Sequence, residues 1–214
     1  IYFSPTDMGV NMVGYCIKNN DIVENAAKKE VVRRYFNELC NYKQGISDFD
    51  TVQKIKLLMN ELNIDENFLK VVEVSKKASE KKKTNVIALE LPKGKIITGK
   101  QTDLLSPASS VIINAIKELS KIPDEINLLS PTILEPILKL RKNNNTLSLQ
   151  EVLIALAVCS VTNPSIASAL EKLEVLKDCE AHATYIVTNG DLKALKSLKI
   201  NLTCEPNFYS KEIM

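Results

Sequence analysis

Residues 85–99, NVIALELPKGKIITG, set the strongest constraint on what this chain can fold into. Two runs rich in β-branched and apolar residues flank Pro92-Lys93-Gly94, the composition of a tight hairpin turn. A two-stranded hairpin is marginal by itself and needs further strands, or helices packed on it, to be stable. The flanking sequence supplies helices on both sides.

Upstream, residues 21–42 place Ile22, Val23, Ala26, Ala27, Val31, Val32, Tyr35, Phe36 and Leu39 at helical spacing, with Asn20 or Asp21 at the start. Residues 47–62 predict a second helix entered through Asp50. ENFLKVVEVSKKASEKKK predicts a weaker third, whose lysine-rich end at 76–83 reads as a solvated face leading into a linker. Downstream, Ser106-Pro107 opens a helix with Ser as N-cap and Pro at the first helical position. INLLS at 126–130 predicts a short buried strand, followed by a helix from Ser130-Pro131 and further helices from Ser148 and from the cap Asn163. The end predicts strand 181–188, a helix from the cap Asp191, and strand 199–204, with the two strands parallel. The expected organisation is a mainly helical segment over 1–84 and a three-layer α/β/α sandwich with a mixed sheet over 85–214.

Composition excludes several classes. The charges nearly balance, at 28 Lys and Arg against 26 Asp and Glu, which gives no signal for nucleic acid. The longest apolar run, VLIALAV, is too short to span a membrane, and IYFSPTDMGV lacks the charged and apolar regions of a signal peptide. Five cysteines without paired spacing predict reduced thiols and a cytoplasmic setting. A first residue other than Met predicts a fragment or a processed chain.

The candidate chemistries narrow quickly. A single histidine cannot build H-E-x-x-H, and neither a G-x-S-x-G elbow nor a phosphate-loop motif is present. Cys179, His182 and Cys204 form the remaining zinc candidate. The expected strand geometry puts His182 and Cys204 on the order of 15 Å apart, too far for one ion, so no metal is expected. Lys100 can reach an anion at the start of the following helix. SPTDMGVN at 4–11 has no regular period and has the composition of a binding loop. Arg33 and Arg34 point roughly 100° apart on their helix, so at most one faces a pocket.

The order hairpin–helix–strand–helix resembles the cytidine deaminase fold. The matching helix starts, Ser106-Pro107-Ala108 and Ser130-Pro131-Thr132, carry no His or Cys, so that resemblance implies the scaffold without its zinc site. A closer resemblance is carried by SPTDMGVN, RRYF at 33–36, IALELPKGKIITGK, LSLQEVLIAL, TNP at 162–164, CEAHATYIV and LTCEP. Together these resemble the C-terminal half of a bacterial family, domain-of-unknown-function family eighteen-forty-six. Some members carry the label ATP-dependent zinc protease, which nothing in these residues supports. The resemblance implies an additional N-terminal domain, with a glycine-rich phosphate-loop-like segment, outside this chain. It marks Ser4, Thr6, Asp7, Asn11, Lys100, Glu135, His182 and Cys204 as motif residues, without assigning roles or a cofactor.

From these residues the expected catalytic groups are Asp7 and His182. Ser4, Thr6, Asn11, Arg33 and Lys100 are the expected ligand contacts, and the ligand is a nucleotide or phosphate compound bound with the N-terminal domain. The alternative is a metal-free scaffold that forms a homo-oligomer through helices 107–121 or 148–177.

Overall fold

The computed structural model describes residues 20–140 and 146–209, which form two compact units divided between Leu69 and Lys70. In the first unit, α1 (Asn20–Lys43) and α2 (Phe49–Glu61) pack as a helical pair. Val32, Phe36, Val52, Ile55 and Met59 form its buried seam, whereas Ile22, counted above among the apolar positions, is exposed. The second helix is entered at Asp48, not Asp50. A single 3₁₀ turn over Glu66–Phe68, capped by the Asp65 carboxylate accepting from Asn67 N–H, closes the unit.

The second unit begins with α3 (Lys70–Lys82), fifteen residues ahead of the expected boundary. The helix is part of this unit because Val71, Val72 and Ser75 are buried, while its lysines cover the outer side. There follow β1 (Val86–Glu90), β2 (Ile96–Lys100), α4 (Pro107–Leu119), α5 (Pro131–Lys139), α6 (Leu149–Ser160) and α7 (Pro164–Glu171). The chain then runs through β3 (Glu180–Ala183), α8 (Asn189–Ser197) and β4 (Asn201–Cys204). The sheet order is β2-β1-β3-β4, with β1 antiparallel to both neighbours and β3 parallel to β4. The protein is therefore a mixed α/β fold with a four-stranded mixed sheet.

Strand alternation sorts the two faces. Ile87, Leu89, Ala181, Ala183 and Cys204 join one apolar core with α4, α6, α7 and α8. Ala88, His182 and Thr203 point the other way, beneath α3. Helices thus lie on both faces.

Residues 126–130 are not a strand. Ile126 N–H closes a turn on Pro123 C=O, and Leu128 and Leu129 bury themselves as an irregular cover on the core. The strand expected over 181–188 stops at Ala183, and Tyr185 and Val187 continue into the core outside the sheet. The cap of α8 is Thr188 and not Asp191, whose carboxylate lies inside the first turn, 2 % exposed.

Three helix starts are stitched together. Ser106 Oγ accepts from Ser109 N–H, and the Ser106 N–H and the Ser109 hydroxyl both donate to Leu147 C=O. The N–H and hydroxyl of Ser148 donate to Glu151 Oε2, and Leu149 N–H donates to Asp191 Oδ1. The first turns of α4, α6 and α8 thereby satisfy one another's backbone groups in place of water.

Candidate functional site

Gly99 brings α4 against the edge strand β2. A Cβ built there would stand 2.1 Å from Val111 N, so only glycine lets strand and helix backbones approach this closely. Gly94 answers a different need, the left-handed turn of the hairpin at φ +82°.

Alongside this contact a cleft of about 500 Å³ opens between β2, α4 and the 124–134 segment. Its floor is apolar, including Ile97, Ile113 and Leu134. Its polar lining has a simple origin. Thr98 and Lys100 share one face of β2 by alternation, and Ser110, Asn114 and Lys117 recur at i, i+4 and i+7 on α4. Asn114 Nδ2 donates to Thr98 C=O at 3.0 Å, and the Lys117 ammonium donates to Asp124 C=O at 2.9 Å. Glu118 is engaged by Lys95. Lys82 and Lys100 also line the cleft, and neither is in an ion pair among the described residues. Ser110 is 8 % exposed, and its buried Oγ has no hydrogen-bond partner among the described residues.

A second cleft, of about 550 Å³, adjoins the first through Thr102, which lines both. Ser79, Glu80, Asn85, Gln101 and Asp103 are among its walls. Among the described residues, no apolar or aromatic side chain lines it.

His182 stands elsewhere, at the centre of the sheet with no exposed surface. Its Nδ1 lies 2.8 Å from Thr203 Oγ1 and its Nε2 lies 3.1 Å from Glu205 Oε1. The Lys76 ammonium meets the same carboxylate oxygen at 2.9 Å. Burial pushes the Glu205 carboxyl up. Hydrogen bonds from His182 and Lys76, with the charge of Lys76, outweigh that and hold it below the usual range. An ionised carboxylate only accepts, so Nε2 carries a proton. The ring links β3 to α3 through Glu205 and Lys76, and a catalytic role for it is not shown.

The expected gap of about 15 Å between His182 and Cys204 is corrected. Strands β3 and β4 run level, pairing His182 with Thr203 and Ala183 with Cys204. The two residues are close in space but on opposite faces of the sheet, which is what keeps them from sharing an ion. Burial, aided by the charge of Glu205 and opposed by a backbone hydrogen bond at Val187, lifts the Cys204 thiol to about 11, so it is not a thiolate. Among the described residues no group of three His, Cys, Asp or Glu side chains could hold a metal ion. No helix among them is long and apolar enough to cross a membrane.

Of the expected ligand contacts, Lys100 lines the first cleft. Arg33 is in the first unit, its guanidinium 2.8 Å from Glu30. Glu135 is exposed on α5. Ser4, Thr6, Asp7 and Asn11 lie outside the described residues. Ser110, Asn114, Gln101 and Asp103 were missed, although the polar stripe along an otherwise apolar α4 was legible at helical spacing.

Fold and cleft together define a mixed α/β protein with a preformed, lysine-rimmed cleft on one edge of its sheet. The chain belongs to the DUF1846 family: residues 67–214 match "Domain of unknown function DUF1846, C-terminal" and residues 1–63 match the corresponding N-terminal model. The expectation that the N-terminal domain lies wholly outside the chain is thereby corrected, and SPTDMGVN falls within that N-terminal match. A UPF0371 protein of Clostridium tetani (strain Massachusetts / E88) is 42% identical over 99% of this chain and 45% of its own length. A UPF0371 protein of Clostridium botulinum (strain Eklund 17B / Type B) is 46% identical over 100% of this chain and 45% of its own length. The chain therefore spans about half the length of these curated relatives.

Proposed function

We propose that the C-terminal unit binds a small phosphate-bearing ligand in the cleft between β2 and α4, in a reducing, cytoplasmic setting. The observation that carries this is the pair Lys82 and Lys100, two ammonium groups without an ion-pair partner among the described residues, beside the buried unpartnered hydroxyl of Ser110. Charge-assisted hydrogen bonds from such groups to a phosphate are stronger than neutral ones. The parallel β3–β4 pair and the hairpin feeding Ser106-Pro107 support a deaminase-like scaffold without zinc ligands. The match at Ser130-Pro131 is withdrawn from that comparison, because no strand lies between it and the preceding helix; the helix after β3 is capped by Thr188.

The test is calorimetric titration of inorganic pyrophosphate and phosphorylated metabolites into wild type, Lys82→Ala and Lys100→Ala. Binding that is absent, or unchanged in both variants, overturns the reading. Asp7→Ala, run in parallel, tests the polar motif at 4–11, which stays a separate proposal.

Self-association is a second reading, favoured by one observation. Ile154, Val158 and Val161 form an apolar row along the outer side of α6 and are 65%, 67% and 84% exposed. Light scattering during size exclusion distinguishes a dimer, which Val158→Glu would split, from a strict monomer.

A further inference from the structure

Resting on that reading, we infer that the ligand is a sugar phosphate, with its phosphate beside Lys82 and Lys100 and its hydroxyls in the adjoining cleft across Thr102. Two clefts that share Thr102 differ in the charge of their linings. The first offers the ammonium groups of Lys82, Lys100 and Lys117 against the Glu118 and Asp124 carboxylates, with the Ser110 hydroxyl, a balance that suits an anion. The second offers the Glu80 and Asp103 carboxylates against the single ammonium of Lys83, with the Asn85 and Gln101 amides, and neither carboxylate is in an ion pair among the described residues.

Carboxylates repel a phosphate and accept hydrogen bonds from neighbouring hydroxyls, so the charge difference sets the direction in which the ligand lies. A nucleobase needs an apolar or aromatic wall to stack on. The second cleft has none, and a polyol needs none. The Asn85 Nδ2 donates to Gln101 Oε1 at 3.4 Å, which leaves the side-chain Gln101 Nε2 and Asn85 Oδ1 for a ligand's hydroxyls.

The experiment is calorimetric titration of the full chain with ribose 5-phosphate, glucose 6-phosphate, inorganic phosphate, free ribose and adenosine monophosphate. Gln101→Ala, Asp103→Asn and Lys100→Ala are compared with wild type, each first checked for an unchanged circular dichroism melt. We expect a sugar phosphate to bind at least tenfold tighter than inorganic phosphate or free ribose. Gln101→Ala and Asp103→Asn should weaken the sugar phosphate about tenfold and leave inorganic phosphate unaffected, whereas Lys100→Ala should weaken both. Equal binding of inorganic phosphate and both sugar phosphates overturns this inference and leaves the phosphate cleft standing. Tighter binding of adenosine monophosphate than of ribose 5-phosphate overturns the sugar assignment alone. If no phosphate compound binds, both readings fall together.

Discussion

The carboxylate of Asp191 accepts the backbone N–H of Leu149 at 2.6 Å, joining two helix starts that lie 42 residues apart in sequence. A buried N–H that loses its acceptor costs the full desolvation of the group, about 1–3 kcal/mol. Asp191→Ala is expected to lower stability by about that amount, and Asp191→Asn, which keeps an acceptor, by less. Urea denaturation with an unchanged slope would read the difference. Equal losses for the two variants would show that the Leu149 bond contributes nothing.

Gly99→Ala is expected to be more disruptive than its single methyl suggests. The new carbon would stand 2.1 Å from Val111 N, 2.5 Å from Val111 Cα and 2.7 Å from Pro107 O, all backbone atoms that cannot rotate away. Overpacking of this kind costs about 1–3 kcal/mol or more. A thermal melt checks it, with Gly190→Ala as a comparison whose nearest neighbours are the Gln150 and Ser148 side chains at 3.8 and 3.9 Å.

Glu205 gives the fold a pH dependence whose sign follows from its depressed folded-state pKa. Its stabilisation is fully present above the unfolded carboxyl value, about 4.3, and is lost as pH falls through the lower folded value. Glu205→Gln should therefore be less stable than wild type at pH 7, and the gap should narrow at pH 3. Chemical denaturation midpoints at the two pH values measure it; a gap that stays constant would remove the His182–Glu205–Lys76 network from the account.

How much of this was legible beforehand differs by element. The hairpin, the Ser106 and Asn163 caps and the parallel β3–β4 pair could be read because each depends on a few neighbouring residues. The status of 126–130 could not, since an apolar run looks the same whether it pairs in a sheet or covers a core irregularly. The helix α3 was assigned to the wrong side of the boundary because its solvent-facing lysines are conspicuous and its three buried residues are not. His182 and Cys204 were misplaced because the expected strand residues 184–188 do not form strand. Level pairing along two short strands is a tertiary property, and no spacing rule predicts it.

Tyr185 offers a prediction of opposite sign to the others. The side chain is 1 % exposed and its phenol oxygen has no hydrogen-bond partner among the described residues. Burial above all, then the nearby Asp191, Tyr209 and Cys204, holds the phenol well above its ordinary pKa, so it stays neutral. Removing an unsatisfied buried hydroxyl without changing the ring is neutral or stabilising. Tyr185→Phe should leave the melting temperature unchanged or raise it; a loss comparable to that of Asp191→Ala would reveal an ordered water on the hydroxyl.

The backbone contact at Gly99 also bears on time. Lys100 follows Gly99 on the strand and Ser110 precedes Val111 on the helix, so two walls of the cleft meet at a close backbone contact. A ligand entering there meets walls already in place, and stopped-flow mixing should show an observed rate that climbs linearly with ligand concentration and reaches no plateau.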